Sequence, residues 1–146
     1  PEKAKTVELN CQVIGRGHLV PISFDKLADI LQRHINDAIA KGARLLTGGK
    51  IEHHGGGKWL LPTILADVTH DMLVMRAETF SPILPVMAFD SVDDAIALRN
   101  DTDFGLSAAV FAGTLDHDEA VGRKLGAGGV PLNEAPWTGL FTETET

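Results

Sequence analysis

Residues 23–49 read SFDKLADILQRHINDAIAKGARLLTGG, and this segment combines two kinds of secondary structure. Apolar side chains recur in it at steps of three or four residues, a spacing that predicts a helix with one buried face. Ser23 is the predicted N-cap of this helix, and Gly42 stands where a left-handed residue usually ends one. The short apolar run Arg44–Thr47, followed by two glycines, predicts a strand. A helix is thus followed directly by a strand.

The rest of the chain repeats this alternation at spacings of about ten residues. Ser91, with Asp94 three residues later, predicts the start of a second helix with its buried side chains at Val92, Ala95, Ile96 and Arg99. A third helix is predicted to open at Asp116. Apolar runs between the helices predict strands at residues 59–65, 82–89, 106–111 and 130–132. Pro62 should keep the first of these runs away from the centre of a sheet. Strands that alternate with helices are typical of an α/β protein, with a mostly parallel sheet and crossover helices.

Composition limits the classes of partner. The chain has 146 residues, 44% of them hydrophobic, which is enough for one domain with a modest core. Its 20 acidic and 13 basic residues give a formal charge of -7, so we expect neither a nucleic-acid nor a membrane-surface partner. No apolar stretch is long enough to span a bilayer. A single cysteine cannot form an internal disulfide, so a cytoplasmic protein is expected.

Several chemically reactive residues carry little functional signal. Cys11 has no recognisable base or orienting partner around it, so an incidental thiol is the expected reading. The adjacent His53 and His54 lie in a glycine-rich loop, without the spacing that metal ligands on a helix have. We therefore predict no catalytic residue and no metal site in this chain.

The segment Arg76-Ala77-Glu78-Thr79-Phe80-Ser81-Pro82-Ile83 places a carboxylate and an aromatic ring directly before an apolar strand. A carboxylate can accept hydrogen bonds from sugar hydroxyls, and an aromatic ring can pack on a planar ring. On local chemistry alone, a loop with a solvated Glu would be the better explanation of the segment.

This segment resembles the Glu-Glu-Ile-Phe-Gly-Pro signature of the aldehyde dehydrogenase superfamily, with Ala77 and Ser81 as departures. Four further segments match the family, and all five occur along the chain in the family's order. Together they cover roughly residues 20–140. The four further segments are Ala43–Gly49, Pro62–Leu65 (Pro-Thr-Ile-Leu), Asn100–Ala108 (Asn-Asp-Thr-Asp-Phe-Gly-Leu-Ser-Ala) and Gly128–Asn133. The resemblance predicts an incomplete catalytic domain over residues 22–140, with an irregular segment at 1–21 and a tail at 141–146.

Members of this superfamily oxidise aldehydes to acids with NAD or NADP, through a thioester on a cysteine that water then hydrolyses. The resemblance implies that Glu78 binds the nicotinamide ribose hydroxyls and that Phe80 packs beside the nicotinamide. In the family the nucleophile, the general base and the oxyanion-binding Asn precede this region. Cys11 stands 67 residues before Glu78 (78 minus 11) and lacks the family's surrounding motif, so the nucleophile's role is not carried onto it.

The resemblance also implies a substrate pocket. Asn133 matches an Asn that supports the active site from a strand end, and Pro136, Trp137 and Thr138 fall where the family lines its substrate tunnel. The expected partners are an aldehyde, a separate cofactor domain and further copies of the protein in a homo-oligomer. The alternative hypothesis is a stand-alone, non-catalytic α/β module that binds a ligand or partner.

Overall fold

The computed structural model describes residues 2–7 and 19–134. The chain divides into two compact units, Pro1–Ala88 (unit 1) and Phe89–Thr146 (unit 2). Within the described residues, none of the helices has the length and apolar character needed to cross a membrane. Cys11 and the predicted pocket residues Pro136, Trp137 and Thr138 lie outside the described residues, as does the predicted tail.

Among residues 2–7 and 19–88, unit 1 contains three helices and five strands. In chain order these are α1 (Glu2–Lys5), α2 (Asp25–Ala40), β1 (Arg44–Thr47), β2 (Ile51–His54), β3 (Gly57–Leu60), β4 (Thr63–Ala66), α3 (Leu73–Arg76) and β5 (Ile83–Val86). The one-turn helix α1 lies in a segment that the sequence predicted to be irregular, and α3 was not predicted at all.

Helix α2 and strand β1 confirm the prediction for residues 23–49. The N-cap prediction was wrong, because Phe24 occupies that position with an extended backbone and without a side-chain cap bond. At the other end Gly42 has a φ of 102°, a conformation that favours glycine. The chain can therefore turn sharply from α2 into β1.

The sheet of unit 1 is mixed, with the strand order β1-β4-β5. Strand β4 pairs parallel with β5, across the connection that contains α3, and this part agrees with the predicted parallel crossover. Strand β1 pairs antiparallel with β4, because the intervening β2-β3 hairpin returns the chain in the opposite direction. The α/β class is thus confirmed, with an antiparallel strand at one edge.

Pro62 acts differently from the prediction. It interrupts the run at residues 59–65, so that β3 ends at Leu60 and β4 begins at Thr63. Since the proline precedes β4 and removes no donor from it, β4 can occupy the centre of the three-stranded sheet. Pro85 lies in β5, an outer strand of that sheet, where a proline is tolerated.

The core of unit 1 consists of two clusters. One joins α2 and β4 to the segment around α3, through Ala38, Ala43, Leu65, Val68, Met72 and Val74. The other joins α2 to the end of β3, through Leu31, Ile35 and Leu60. The half-buried Ile83 of β5 packs against both clusters, so α2 and β5 are tied to the same interior.

Unit 2 contains α4 (Val92–Asn100) and α5 (Leu115–Gly122). The Ser91 cap is confirmed, since its side chain accepts from the Asp94 amide. The predicted buried stripe of α4 is confirmed only in part: Ala95, Ile96 and Arg99 are half-buried, Val92 is exposed, and no residue of the helix is fully buried. The predicted buried strand at 106–111 is wrong: only isolated parallel bridges form, from Ser107 to Gly129 and from Val110 to Leu132.

Candidate functional site

A cavity of about 680 Å³ opens beside α2 and the loop between α3 and β5. Most of its wall is apolar, and one carboxylate lies on it. The lining residues are Leu19, Val20, Pro21, Ile22, Ser23, Phe24, Leu27, Ile30, Leu31, Leu60, Glu78, Phe80, Ser81 and Pro82. A mostly apolar cleft of this size with few polar groups is typical of a small-molecule or cofactor site.

Glu78 and Phe80, the two predicted cofactor-binding residues, lie together on the wall of this cavity. Both side chains are exposed, and Phe80 has 82% of its surface open to solvent. An exposed carboxylate and an exposed ring on one wall can meet a ligand that carries hydroxyls next to a planar group.

The loop that carries these residues is fixed at both ends. At its start Ala77 donates to the Leu73 carbonyl oxygen over 2.9 Å, which closes the single turn of α3. At its end the carbonyl of Pro82 accepts from the Thr63 amide of β4 at 2.8 Å. Between them the Ser81 amide donates to the Thr79 carbonyl oxygen at 2.9 Å. The local backbone is thereby held against β4 at the mouth of β5.

A buried histidine reaches this loop from α2. His34 is 2% exposed, and its Nδ1 lies 3.0 Å from the hydroxyl oxygen of Thr79, the residue between Glu78 and Phe80. Burial lowers the pKa of His34 below its ordinary value of 6.5, and the nearby Arg33 lowers it further. The carboxylate of Asp37 opposes this shift without reversing it. The imidazole is therefore held in its neutral form.

Sequence reasoning did not single out His34. A signal for it was present, because position 34 falls among the buried positions of α2, whose other members are Ala28, Leu31, Ile35 and Ala38. A polar residue on such a face needs a hydrogen-bond partner when it is buried. The apolar wall formed by residues 19–24 was also missed, since that stretch has no periodic pattern.

Asn133 lies in unit 2, directly after Leu132, which forms an isolated parallel bridge with Val110. Its backbone has a φ of 54°, and its amide donates to the Val110 carbonyl oxygen at 2.7 Å. Its side-chain amide donates to Oδ2 of Asp118, a fully buried carboxylate of α5. Asn133 is thus held in a defined orientation, while its role in a substrate pocket stays a prediction.

The histidine pair at 53–54 lies on the β2-β3 hairpin. Nε2 of His54 is 2.7 Å from a carboxylate oxygen of Glu52, and both side chains are partly exposed. Within residues 2–7 and 19–134, no group of three or more potential ligands is arranged to hold a metal ion. His54 thus makes a surface contact with a residue two positions away on β2.

A family model described as "Aldehyde dehydrogenase family" matches residues 2–142 of the chain. The chain therefore belongs to the aldehyde dehydrogenase family. The α/β unit with its mixed sheet agrees with this membership, and so do the solved structures that the chain resembles.

Two relatives illustrate the similarity. The chain is 38% identical over 125 residues to the mitochondrial succinate-semialdehyde dehydrogenase of Rattus norvegicus, covering 86% of the chain and 23% of that protein. It is 38% identical over 130 residues to the chloroplastic betaine aldehyde dehydrogenase of Beta vulgaris, covering 84% of the chain and 26% of that protein. The chain therefore spans about a quarter of the length of the curated relatives it matches.

Solved structures of the family have the same fold over the shared region. A protein from Anabaena variabilis named PutA, described as an aldehyde dehydrogenase, matches with a TM-score of 0.91 and 46% identity, over 97% of this chain and 30% of that one. Aldehyde dehydrogenase C of Pseudomonas syringae, as a C291A mutant with NAD⁺ and octanal, matches with a TM-score of 0.84 and 33% identity. That match covers 93% of this chain and 28% of the other.

Proposed function

We propose that this chain forms one wall of the cofactor cleft in an NAD(P)-dependent aldehyde dehydrogenase, which oxidises an aldehyde to a carboxylic acid through a thioester. The observation that carries the proposal is the joint placement of Glu78 and Phe80, both exposed, on the wall of one cavity. A structural relative that contains NAD⁺ and an aldehyde supports the same reading for this chain.

The residues present fit a nicotinamide nucleotide. The carboxylate of Glu78 would accept hydrogen bonds from the two ribose hydroxyls, and a charged acceptor makes such bonds stronger than a neutral one. The ring of Phe80 would pack against the nicotinamide edge and keep water from that side. The bound cofactor would supply the acceptor for hydride from the aldehyde. Whether NAD or NADP is preferred would be decided by residues outside this chain.

We further propose that the nucleophile and the general base come from another part of the enzyme. The resemblance puts them before the region that this chain covers. Assays of the 146-residue chain with NAD or NADP and several aldehydes should then show no turnover. Clear turnover that depends on Cys11 would overturn this assignment.

The cofactor role can be tested by replacing Glu78 in the full-length protein encoded by the gene that carries this sequence. Glu78→Gln keeps the shape of the side chain and removes its charge. Loss of a hydrogen bond to a charged group costs about 1.5–3 kcal/mol, so the dissociation constant for NAD(P) should rise roughly 10- to 100-fold. Isothermal titration of NAD and NADP measures it directly.

Glu52→Gln is the matched control. Glu52 lies on the β2-β3 hairpin and does not line the cavity, so its replacement should leave the NAD(P) dissociation constant unchanged. Equal affinity for NAD(P) in wild type and Glu78→Gln would contradict the proposal. If the full-length protein bound neither cofactor, the non-catalytic binding module would become the better hypothesis.

We also propose that the complete protein is a homo-oligomer and that parts of this chain are covered in it. Leu84 and Val86 of β5 are 57% and 46% exposed, and large exposed apolar side chains often mark contact surfaces. The isolated chain should self-associate as its concentration is raised. Light scattering that gave the monomer mass at high concentration would count against this proposal.

A further inference from the structure

The loop that carries the two proposed cofactor contacts has an inward-facing residue between them. Thr79 is half-buried, whereas Glu78 and Phe80 on either side of it are exposed. Ala77, where the loop begins, is extended, with φ of -107° and ψ of 151°. From Ala77 to Phe80 the residues are alternately half-buried and exposed, as side chains that point to opposite sides would be. A contact that holds Thr79 inward therefore favours the outward placement of Glu78 and Phe80.

The hydrogen bonds of the Thr79 hydroxyl assign its donor and acceptor roles. The hydroxyl has one proton and lies 3.2 Å from the Ala77 carbonyl oxygen, which can only accept. When the proton is given there, the hydroxyl oxygen accepts from Nδ1 of His34 at 3.0 Å. Both contacts are satisfied when the neutral imidazole has its proton on Nδ1.

His34 is a rigid point from which to hold the loop. It lies on α2, the 16-residue helix whose neighbouring side chains Leu31 and Ile35 are buried in the core. At 2% exposure the imidazole has no room to choose another partner in solvent. Burial also lowers its pKa, which favours the neutral imidazole at neutral pH.

We infer that His34 is a positioning residue, which holds Thr79 inward and thereby presents Glu78 and Phe80 to the cavity. The inference rests on the proposed function, because it concerns how well the two side chains meet the nicotinamide nucleotide. His34 does not itself line the cavity, so it acts through Thr79.

Two pairs of variants in the full-length protein test this link. Thr79→Val keeps the shape of the side chain and removes the hydroxyl, while Thr79→Ser retains the hydroxyl. His34→Leu removes the donor, while His34→Asn keeps an N–H near the position of Nδ1. An ordinary hydrogen bond corresponds to a change of about three- to tenfold in affinity, and this is the expected rise in the NAD(P) dissociation constant for Thr79→Val and His34→Leu. Thr79→Ser and His34→Asn should stay within about twofold of wild type, as a retained bond requires.

Binding constants separate positioning from general destabilisation. A merely structural role would lower the active fraction, and with it kcat, but would leave the NAD(P) dissociation constant and the aldehyde KM of the folded protein unchanged. Positioning should raise the NAD(P) dissociation constant and leave the aldehyde KM unchanged.

The double variant His34→Leu/Thr79→Val should bind NAD(P) no more weakly than the worse single variant, because both substitutions break the same bond. Full additivity would overturn the inference.

Comparison with Glu78→Gln separates a failure of the positioning inference from a failure of the proposed function. If Glu78→Gln weakens NAD(P) binding and Thr79→Val does not, the positioning inference fails and the proposed function stands. If neither weakens it, both fail. Should His34→Leu not fold, Thr79→Val against Thr79→Ser decides alone. The ¹⁵N chemical shifts of the His34 ring provide a check without cofactor, since a proton on Nε2 in place of Nδ1 would also overturn the inference.

Discussion

Units 1 and 2 are built by different kinds of interaction. Among the described residues, all buried hydrophobic side chains except Val110 belong to unit 1. Two clusters around α2, β3 and β4 form its interior, and the sheet and helices share them. In the described part of unit 2, residues 89–134, helix α4 buries nothing and α5 buries only Asp118 and Gly122.

Unit 2 has helix caps and a side-chain bridge between distant residues. Ser91 caps α4 and Thr114 caps α5. The side chain of Asn100 donates to the Lys124 carbonyl oxygen and accepts from the Gly126 amide, both at 2.8 Å, and so joins the end of α4 to the chain after α5. Among residues 89–134, the large apolar side chains that remain exposed are Phe89, Val92, Phe104, Leu106, Phe111 and Leu115. Large apolar side chains are exposed in both units, but among the described residues only unit 1 also has buried hydrophobic clusters.

The largest effect should come from truncating the interior of unit 1. Ile35 is fully buried, so Ile35→Ala should lower the free energy of unfolding by about 2–5 kcal/mol through lost burial and a cavity. Leu106→Ala in unit 2 is the control: that side chain is 83% exposed, and the expected change is within about 0.5 kcal/mol. Urea unfolding followed by tryptophan fluorescence measures both. Similar losses from the two variants would mean that unit 2 has a core of its own.

A smaller effect should come from the polar interior of unit 2. Asp118 is fully buried and accepts from the side chain of Asn133. Asp118→Ala leaves that donor without its acceptor, which should cost about 1–3 kcal/mol of unfolding free energy. Asp103→Ala, at an exposed position in the same unit, is the control and should be nearly neutral. Hydrogen exchange of the α5 amides would locate the loss, and unchanged protection in Asp118→Ala would contradict the assignment.

The smallest effect concerns the dependence of unit 1 on pH. The folded pKa of His34 lies below 6.5, mainly because of burial. At pH values between the folded pKa of His34 and 6.5, the unfolded chain binds a proton that the folded chain does not. Stability therefore rises with pH through this window, and it is lost as pH falls below 6.5. The lowered pKa values of Asp25, Asp37 and Asp71 act separately, below 3.8.

Comparing unfolding of wild type and His34→Gln at several pH values isolates this contribution, since the variant lacks the titrating group. The difference in the free energy of unfolding between wild type and His34→Gln should change between neutral pH and pH 5, because wild type loses more stability. Parallel curves for wild type and His34→Gln would show that His34 titrates alike in both states.

Patterns within a few residues of each other were sufficient for much of unit 1 and for the helix starts of unit 2. The apolar spacing at residues 24–39 predicted α2, the run before two glycines predicted β1, and Ser91 with Asp94 predicted the start of α4. The ordered motifs predicted the family. Each of these features depends on the local geometry of a helix, strand or cap, or on the order of particular residues along the chain. Short contiguous stretches of sequence are therefore enough to predict them.

Tertiary structure alone decided the features that depend on distant partners. Residues 106–111 have the composition of a buried strand, yet Leu106 and Phe111 stay exposed, because burial depends on what packs against a strand. β4 lies at the centre of its sheet because β1 and β5 reach it from both sides. The contact between His34 and Thr79 joins residues 45 positions apart, and no local pattern encodes which side chain a buried histidine will meet.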